Sequence, residues 1–277
     1  MDESNFMVIT HDMGSNDDLC DSPWVERTLI QDQSLGPIKL PIKLSPSALN
    51  NYDACERRFY YSRKLYREEG EEPIFFTRGS EAHAVMDGSK ALDEISKEAA
   101  TMAKKLIKVR EGLGFKVVHT ELTQKWNLSD SIVYERRIDG LGYDEHGRGV
   151  IIDWKTASRS WQTIGTVAPK AMTWQTPGYL IPPPDHMLEK IGWDEPWPTR
   201  MVYIVGPTRG AGQIFEIDYD QEMIDAFWKL VVDVEYSVSK HEFPKSPGYN
   251  CTFCPFGEIC FDQEGWPDLY EYRKDAQ

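Results

Sequence analysis

In the stretch 137-RIDGLGYDEHGRGVIIDWKTAS-158, three charged residues are placed where they can do chemistry: Asp139, Asp153 and Lys155. Side chains alternate along a strand, so Asp153 and Lys155 share one face while Trp154 takes the other. On the preceding segment Val133, Glu135, Arg137 and Asp139 share a face in the same way. Asp139 is expected to end one strand, and Asp153 and Lys155 to end the next. Pairing the two strands through the DEHGRG turn then brings Asp139 close to Asp153. Facing carboxylates repel unless a cation sits between them. A hard divalent ion such as Mg²⁺ or Mn²⁺ suits that oxygen-rich setting. The lysine beside it can stabilise a developing negative charge or orient a water. The competing reading is a solvated salt-bridge patch at two strand ends. The apolar run Val150-Ile151-Ile152 before Asp153 favours a site, because charges at the end of a buried strand are unusual without a purpose.

A second cluster lies in 250-NCTFCPFGEIC-260. Three of the five cysteines, Cys251, Cys254 and Cys260, fall within ten positions; the others are Cys20 and Cys55. An odd cysteine count argues against a disulfide framework. Zinc sites usually use paired short spacings, whereas this chain offers C-x₂-C-x₅-C and one distant partner. The consecutive run of small ferredoxins does not fit either. Cys20 and His241 are rival fourth ligands to Cys55.

The elements that must hold these residues are legible from period and caps. Ser45-Pro46 reads as N-cap and first helical residue. Leu49, Tyr52, Phe59 and Leu65 continue at helical spacing into the sixties. Thr77 or Ser80 is expected to cap a second helix carrying His83, Val85, Met86 and Leu92. A third runs through the lysine-rich segment to Arg110 and ends at Gly112 and Gly114. The pattern then turns to strands in FKVVHTELT, SIVYERRIDGLGY and GVIIDWKT. Residues 166–181 read as helix until Pro182-Pro183-Pro184 breaks it. RMVYIVG and QIFEIDY are two more strands, and Asp220 caps a helix to about Ser239. The order predicts an α/β (α+β) core, a mixed sheet flanked by helices, with a helical front end.

Residues 1–40 are expected to form an acidic, loosely packed extension, and 41–277 a single domain that includes the cysteine segment 249–262. The net charge of −14 taken alone argues against nucleic acid. However, half of it lies in residues 1–36, where eight acids face one base, Arg27. Basic clusters stand in the rest: Arg57-Arg58, Arg63-Lys64 with Arg67, Lys104-Lys105 with Lys108 and Arg110, and Arg136-Arg137. Each alone reads as a solvated face; together they allow a basic groove. No apolar run is long enough to span a membrane, and the N-terminus lacks signal-peptide order. A soluble, cytoplasmic protein of a bacterium or a phage-infected cell is therefore expected. Tryptophan-rich loops such as WDEPWP suit a phage or bacterial origin.

An Asp followed by a strand ending in D/E-x-K resembles the core of the PD-(D/E)xK nuclease superfamily, and RIDG…VIIDWKT resembles its RecB-like branch. His83 in RGSEAHAVMD matches that branch's helical histidine, Gln175 and Tyr179 its Q-x-x-x-Y mark, and LSPSALNNYDACERRFYY its entry helix. The likeness covers most of residues 44–262. It implies a metal bound by His83, Asp139, Asp153 and the carbonyl of Trp154, with Lys155 beside the scissile phosphate; Glu121 and Glu135 are spare acids within reach. Gln175 and Tyr179 complete the catalytic set. Cys55 with Cys251, Cys254 and Cys260 resembles the cluster-bearing members, the AddB nuclease domains and CRISPR-associated RecB-like exonucleases. There the four thiols hold a [4Fe–4S] cluster; zinc in the same ligands stays open. The implied activity is an Mg²⁺- or Mn²⁺-dependent exonuclease on single-stranded DNA or DNA ends in recombination, repair or processing. Tyr52, Phe59, Tyr60 and Tyr61 are candidates for stacking on bases beside Arg57 and Arg58, and Arg137 for binding a phosphate. No Walker A motif is present, so a helicase or recombination partner would be separate. The alternatives are an inactive DNA-binding or adaptor subunit and a zinc-stapled protein-interaction module.

Overall fold

Ser45 opens the first helix as its sequence predicts. Its Oγ accepts from the Ala48 amide at 3.2 Å, and Pro46 occupies the first turn, where a missing N–H costs nothing. The computed structural model describes residues 36–64, 74–159, 174–248, 251, 254–257 and 260. The first 35 residues of the predicted extension and the first half of the expected helix over 166–181 lie outside them. Strand β1 (Ile42–Leu44) precedes α1 (Pro46–Ala54) and α2 (Glu56–Lys64). The single long helix expected here is interrupted at Cys55, which takes an extended backbone. Helices α3 (Ile74–Met86) and α4 (Lys97–Gly112) follow, then β2 (Lys116–Asn127), β3 (Ile132–Tyr143) and β4 (Gly149–Arg159). Thr77 and Ser80 lie inside α3 rather than capping it. Gly88, at φ +81°, stops that helix short of Leu92. Short helices α5 (Gln175–Leu180) and α6 (Asp185–Ile191), strands β5 (Arg200–Arg209) and β6 (Gln213–Asp218), and the long α7 (Gln221–Lys240) complete the order.

The six strands form one mixed sheet in the order β1-β3-β4-β5-β6, with β2 also on β3. β2 runs antiparallel along one edge of β3. The other edge is shared: β1 pairs in parallel with residues 132–134, and β4 pairs antiparallel with residues 140–143. Between them that edge of β3 carries no strand. Asp139 and Asp153 do not end their strands, as the sequence suggested; both strands continue. What ends there is the ladder between them, whose last pair is Gly140 with Ile152. Along its other edge β4 pairs in parallel with β5, from Ile151 to Arg159.

Both faces of the sheet are covered. Val150, Ile152, Trp154, Val202 and Ile204 bury one face with Met86 of α3 and Leu106 of α4. Tyr134, Ile138, Ile151, Met201 and Tyr203 bury the other with α1, α2 and Phe227, Val231 and Val234 of α7. Strands covered on both faces read as continuous apolar runs, as VII and MVYIV do here. Tyr52, Phe59, Tyr60 and Tyr61 belong to this core, each at most 5% exposed, and Arg57 is buried among them. They are not free to stack on bases. Their rings pack on one another and on Phe243 and Phe256.

Candidate active site

The gap where β3 and β4 part is filled by side chains. Asp139 Oδ2 accepts from the Trp154 backbone N–H at 2.9 Å, in place of the next ladder bond. His83, on α3, brings Nδ1 to 3.6 Å from the same oxygen. Glu121 lies on β2 between the pairs Thr120–Gly140 and Leu122–Ile138, hence beside Asp139. Its backbone is left-handed, φ +53°, which is unusual for a residue with a Cβ and is found preferentially at functional sites. Ligand atoms of His83, Glu121 and Asp139 lie within 4.8 Å of one another. Glu121 also pairs with the Arg137 guanidinium. Sequence reasoning placed Glu121 only among the spare acids; its position in the strand pattern was visible, but its left-handed backbone was not.

Asp153 is fully buried on the next strand. Its Oδ1 accepts from Gln175 Nε2 at 2.6 Å, and its Oδ2 lies 2.6 Å from Lys155 Nζ. That close approach is an ion pair without hydrogen-bond geometry, which leaves a buried oxygen with spare lone pairs. Lys155 and Asp153 thus share a face, while Trp154 enters the opposite core. The second amide hydrogen of Gln175 reaches Tyr179 Oη at 3.0 Å, and Tyr179 donates to the Arg137 carbonyl at 2.5 Å. That carbonyl is on the strandless part of β3, so α5 fills the gap between β1 and β4. Glu135 turns away and pairs with Lys43 at 2.6 Å.

The electrostatics suit a cation. Burial pushes the Asp139 carboxyl well above its ordinary range, and the Asp153 charge pushes it further. Burial holds His83 below the usual imidazole value, against the pull of Asp153, so the ring is neutral and able to donate a lone pair. Together the buried Asp139 carboxyl, Glu121 and a neutral imidazole, with ligand atoms within 4.8 Å of one another, fit a hard divalent ion, and the Asp153–Lys155 pair lies on the adjoining strand. An open cleft leads to this centre, lined by Arg78, His83, Arg137, Asp139, Thr156 and Thr208 among others.

A family model described as the PD-(D/E)XK nuclease superfamily matches residues 43–261. The chain belongs to the PD-(D/E)XK nuclease superfamily. No curated protein sequence matches it. Among solved structures, a protein from Eubacterium rectale with a provisional exonuclease assignment aligns at TM-score 0.50 and 12% identity, over 87% of this chain and 97% of that one. The alkaline exonuclease LHK-Exo from Laribacter hongkongensis aligns at TM-score 0.37 and 16% identity, over 72% and 93%. LHK-Exo in complex with dAMP gives 0.42 and 15%, over 72% and 90%. These likenesses concern the fold. Members of the superfamily use divalent metals.

The four predicted cysteines line one pocket, with Arg58, Tyr61 and Lys245. Cys55 comes from the break between α1 and α2, and the other three from the C-terminal segment. Burial raises the Cys251 thiol and pushes Cys260 up to about 12. Arg57 and Lys245 brace the pocket through the carbonyls of Phe243 (2.7 Å) and Cys260 (2.7 Å). Among the described residues no three of these thiols lie within 4.8 Å of one another. Tetrahedral zinc would hold its sulfurs about 3.8 Å apart. Cys20 lies outside the described residues. His241 packs its ring on Tyr60 and Phe243 at the end of α7.

Proposed function

We propose that this protein is an Mg²⁺- or Mn²⁺-dependent deoxyribonuclease of the RecB-like branch that degrades single-stranded DNA or DNA ends. The observation that carries the reading is the parting of β3 from β4, with Asp139, Asp153 and Lys155 in the gap and His83 and an open cleft beside it. His83, Asp139, Asp153 and the Trp154 carbonyl would hold the ion, with Glu121 in reach. When bound, such an ion lowers the pKa of a water and polarises the scissile phosphate. Lys155 keeps its ammonium beside Asp153, where it can orient the water and stabilise charge that develops on the phosphate. Gln175 fixes the Asp153 carboxylate, and Tyr179 anchors Gln175 to β3. Arg78 and Arg137 give the cleft wall positive charge for the flanking phosphates.

The four-cysteine pocket is the proposed site of a [4Fe–4S] cluster that ties the α1–α2 junction to the tail of one domain spanning 41–277. No helix among the described residues is long and apolar enough to cross a membrane, in keeping with a cytoplasmic enzyme that meets DNA opened by a separate helicase or recombination partner.

The test uses protein purified without air, offered linear and circular single-stranded DNA with Mn²⁺ or with EDTA. The reading predicts mononucleotides or short products from linear DNA with Mn²⁺ only. No cleavage of either substrate by protein with its iron in place would reduce it to a DNA-binding adaptor. In the same preparation, zinc without iron and no broad visible absorption would overturn the cluster.

A further inference from the structure

Arg136 is 1% exposed and forms no ion pair with any described carboxylate. Its Nε donates to Gln124 Oε1 at 2.8 Å. Its Nη1 donates to the carbonyls of Gly178, Tyr179 and Ile181 at 3.0, 2.8 and 2.7 Å. The guanidinium lies between the Trp126 and Trp197 rings, 4.9 and 4.7 Å from their centroids. The three carbonyls form the C-terminal end of α5, the negative end of a helix. That helix has six residues, contains Pro177 and Gly178, and lacks a side-chain N-cap. It has little stability of its own, yet it carries the two side chains that reach Asp153 and β3. Burying a cation without a counter-charge is costly, and filling space among two tryptophans would be served better by an apolar side chain. Here Nη1 alone meets all three carbonyls of that turn, aimed there by the Nε bond to Gln124, while Nη2 is buried without a hydrogen-bond partner.

We propose that Arg136 is a positioning residue for the metal centre: it grips the C-terminal carbonyls of α5 so that Gln175 is held on Asp153 and Tyr179 on the Arg137 carbonyl. The inference rests on Asp153 serving as a metal ligand. Burial, which pulls Arg136 down to about 9, leaves it charged at neutral pH.

The experiment measures free Mn²⁺ by electron paramagnetic resonance against wild type, Arg136→Lys, Arg136→Met, Gln175→Ala and the Arg136→Lys/Gln175→Ala double variant. Steady-state cleavage is measured in parallel. Lysine keeps the charge and some donors but not the Nε bond to Gln124 that aims them, so Mn²⁺ affinity is expected to fall about tenfold, with kcat reduced and KM within about twofold. Because Arg136 acts through Gln175, the double variant is expected to bind within about twofold of Gln175→Ala alone. Wild-type affinity in Arg136→Lys, or losses that multiply in the double variant, would overturn the proposal. Should Arg136→Met not fold, the lysine variant and the cycle decide. Wild type that binds Mn²⁺ but cuts no DNA sinks the nuclease reading alone; wild type that binds no Mn²⁺ sinks both.

Discussion

Asp139 does not hold its charge at ease in the metal-free fold. Asp139 is buried, and the charge of Asp153 adds to the penalty. Its carboxyl in the metal-free fold therefore titrates above the unfolded value of about 3.9. Between those two values the folded state holds a proton that the unfolded state has lost, so stability falls as pH rises across that window. The Asp139 contribution to metal-free stability should fall from about pH 4 upward, and Asp139→Asn should remove that component from the pH dependence. Urea melts in chelator at a series of pH values test this; an unchanged slope would mean that Asp139 titrates normally. At this scale much was legible. The two-residue spacing of Asp153 and Lys155 fixes their common face, and His83, Gln175 and Tyr179 all lie at the gap. Tyr52, Phe59, Tyr60 and Tyr61 were candidates for stacking on bases of which several had to be core; all four are, and local sequence does not tell a core aromatic from an exposed one. Arg136 was read as half of a basic pair; only the fold shows that Arg136 is buried while Arg137 faces the cleft.

Elements create the gap. β3 holds β2 along one edge and divides the other between β1 and β4, and α5 occupies the interval. Across the sheet, α4 lies so close to β5 that a Cβ on Gly206 would meet the Met102 carbonyl at 2.6 Å and Leu106 Cγ at 2.7 Å. Gly206→Ala should therefore destabilise the protein by about 1–3 kcal/mol through overpacking, read as a lower urea midpoint with an unchanged slope. A neutral result would show that α4 can back away. The sequence announced the strands and the capped helices, since period 2, Ser45 and Asp220 are local signals. It did not announce β1 or α6, which are three and seven residues long, nor the break at Cys55. Those depend on partners far along the chain, with Arg57 N–H bonded to Pro244 O at 3.1 Å.

The whole molecule joins its two ends at the cysteine pocket. Cys55 and the C-terminal thiols are nearly two hundred residues apart in sequence, so any group that binds all four closes almost the entire described fold. Binding energy for such a group is folding energy. Cys254→Ser should lose iron and lower the thermal midpoint by on the order of 5–10 °C. The Asp139 centre lies on the sheet, so Mn²⁺ binding should survive at temperatures where the variant stays folded. An unchanged iron count and midpoint would remove Cys254 from the ligand set.

The central claim is that the centre between β3 and β4 hydrolyses DNA with Lys155 beside the reacting phosphate. The measurement is single-turnover cleavage of end-labelled single-stranded DNA with Mn²⁺, comparing wild type with Lys155→Ala of equal iron content and equal circular dichroism. The account predicts metal-dependent cleavage by wild type and a loss of about a hundredfold or more in the variant, with DNA affinity kept within a few fold. Equal rates in the two proteins would contradict it and place the chemistry elsewhere.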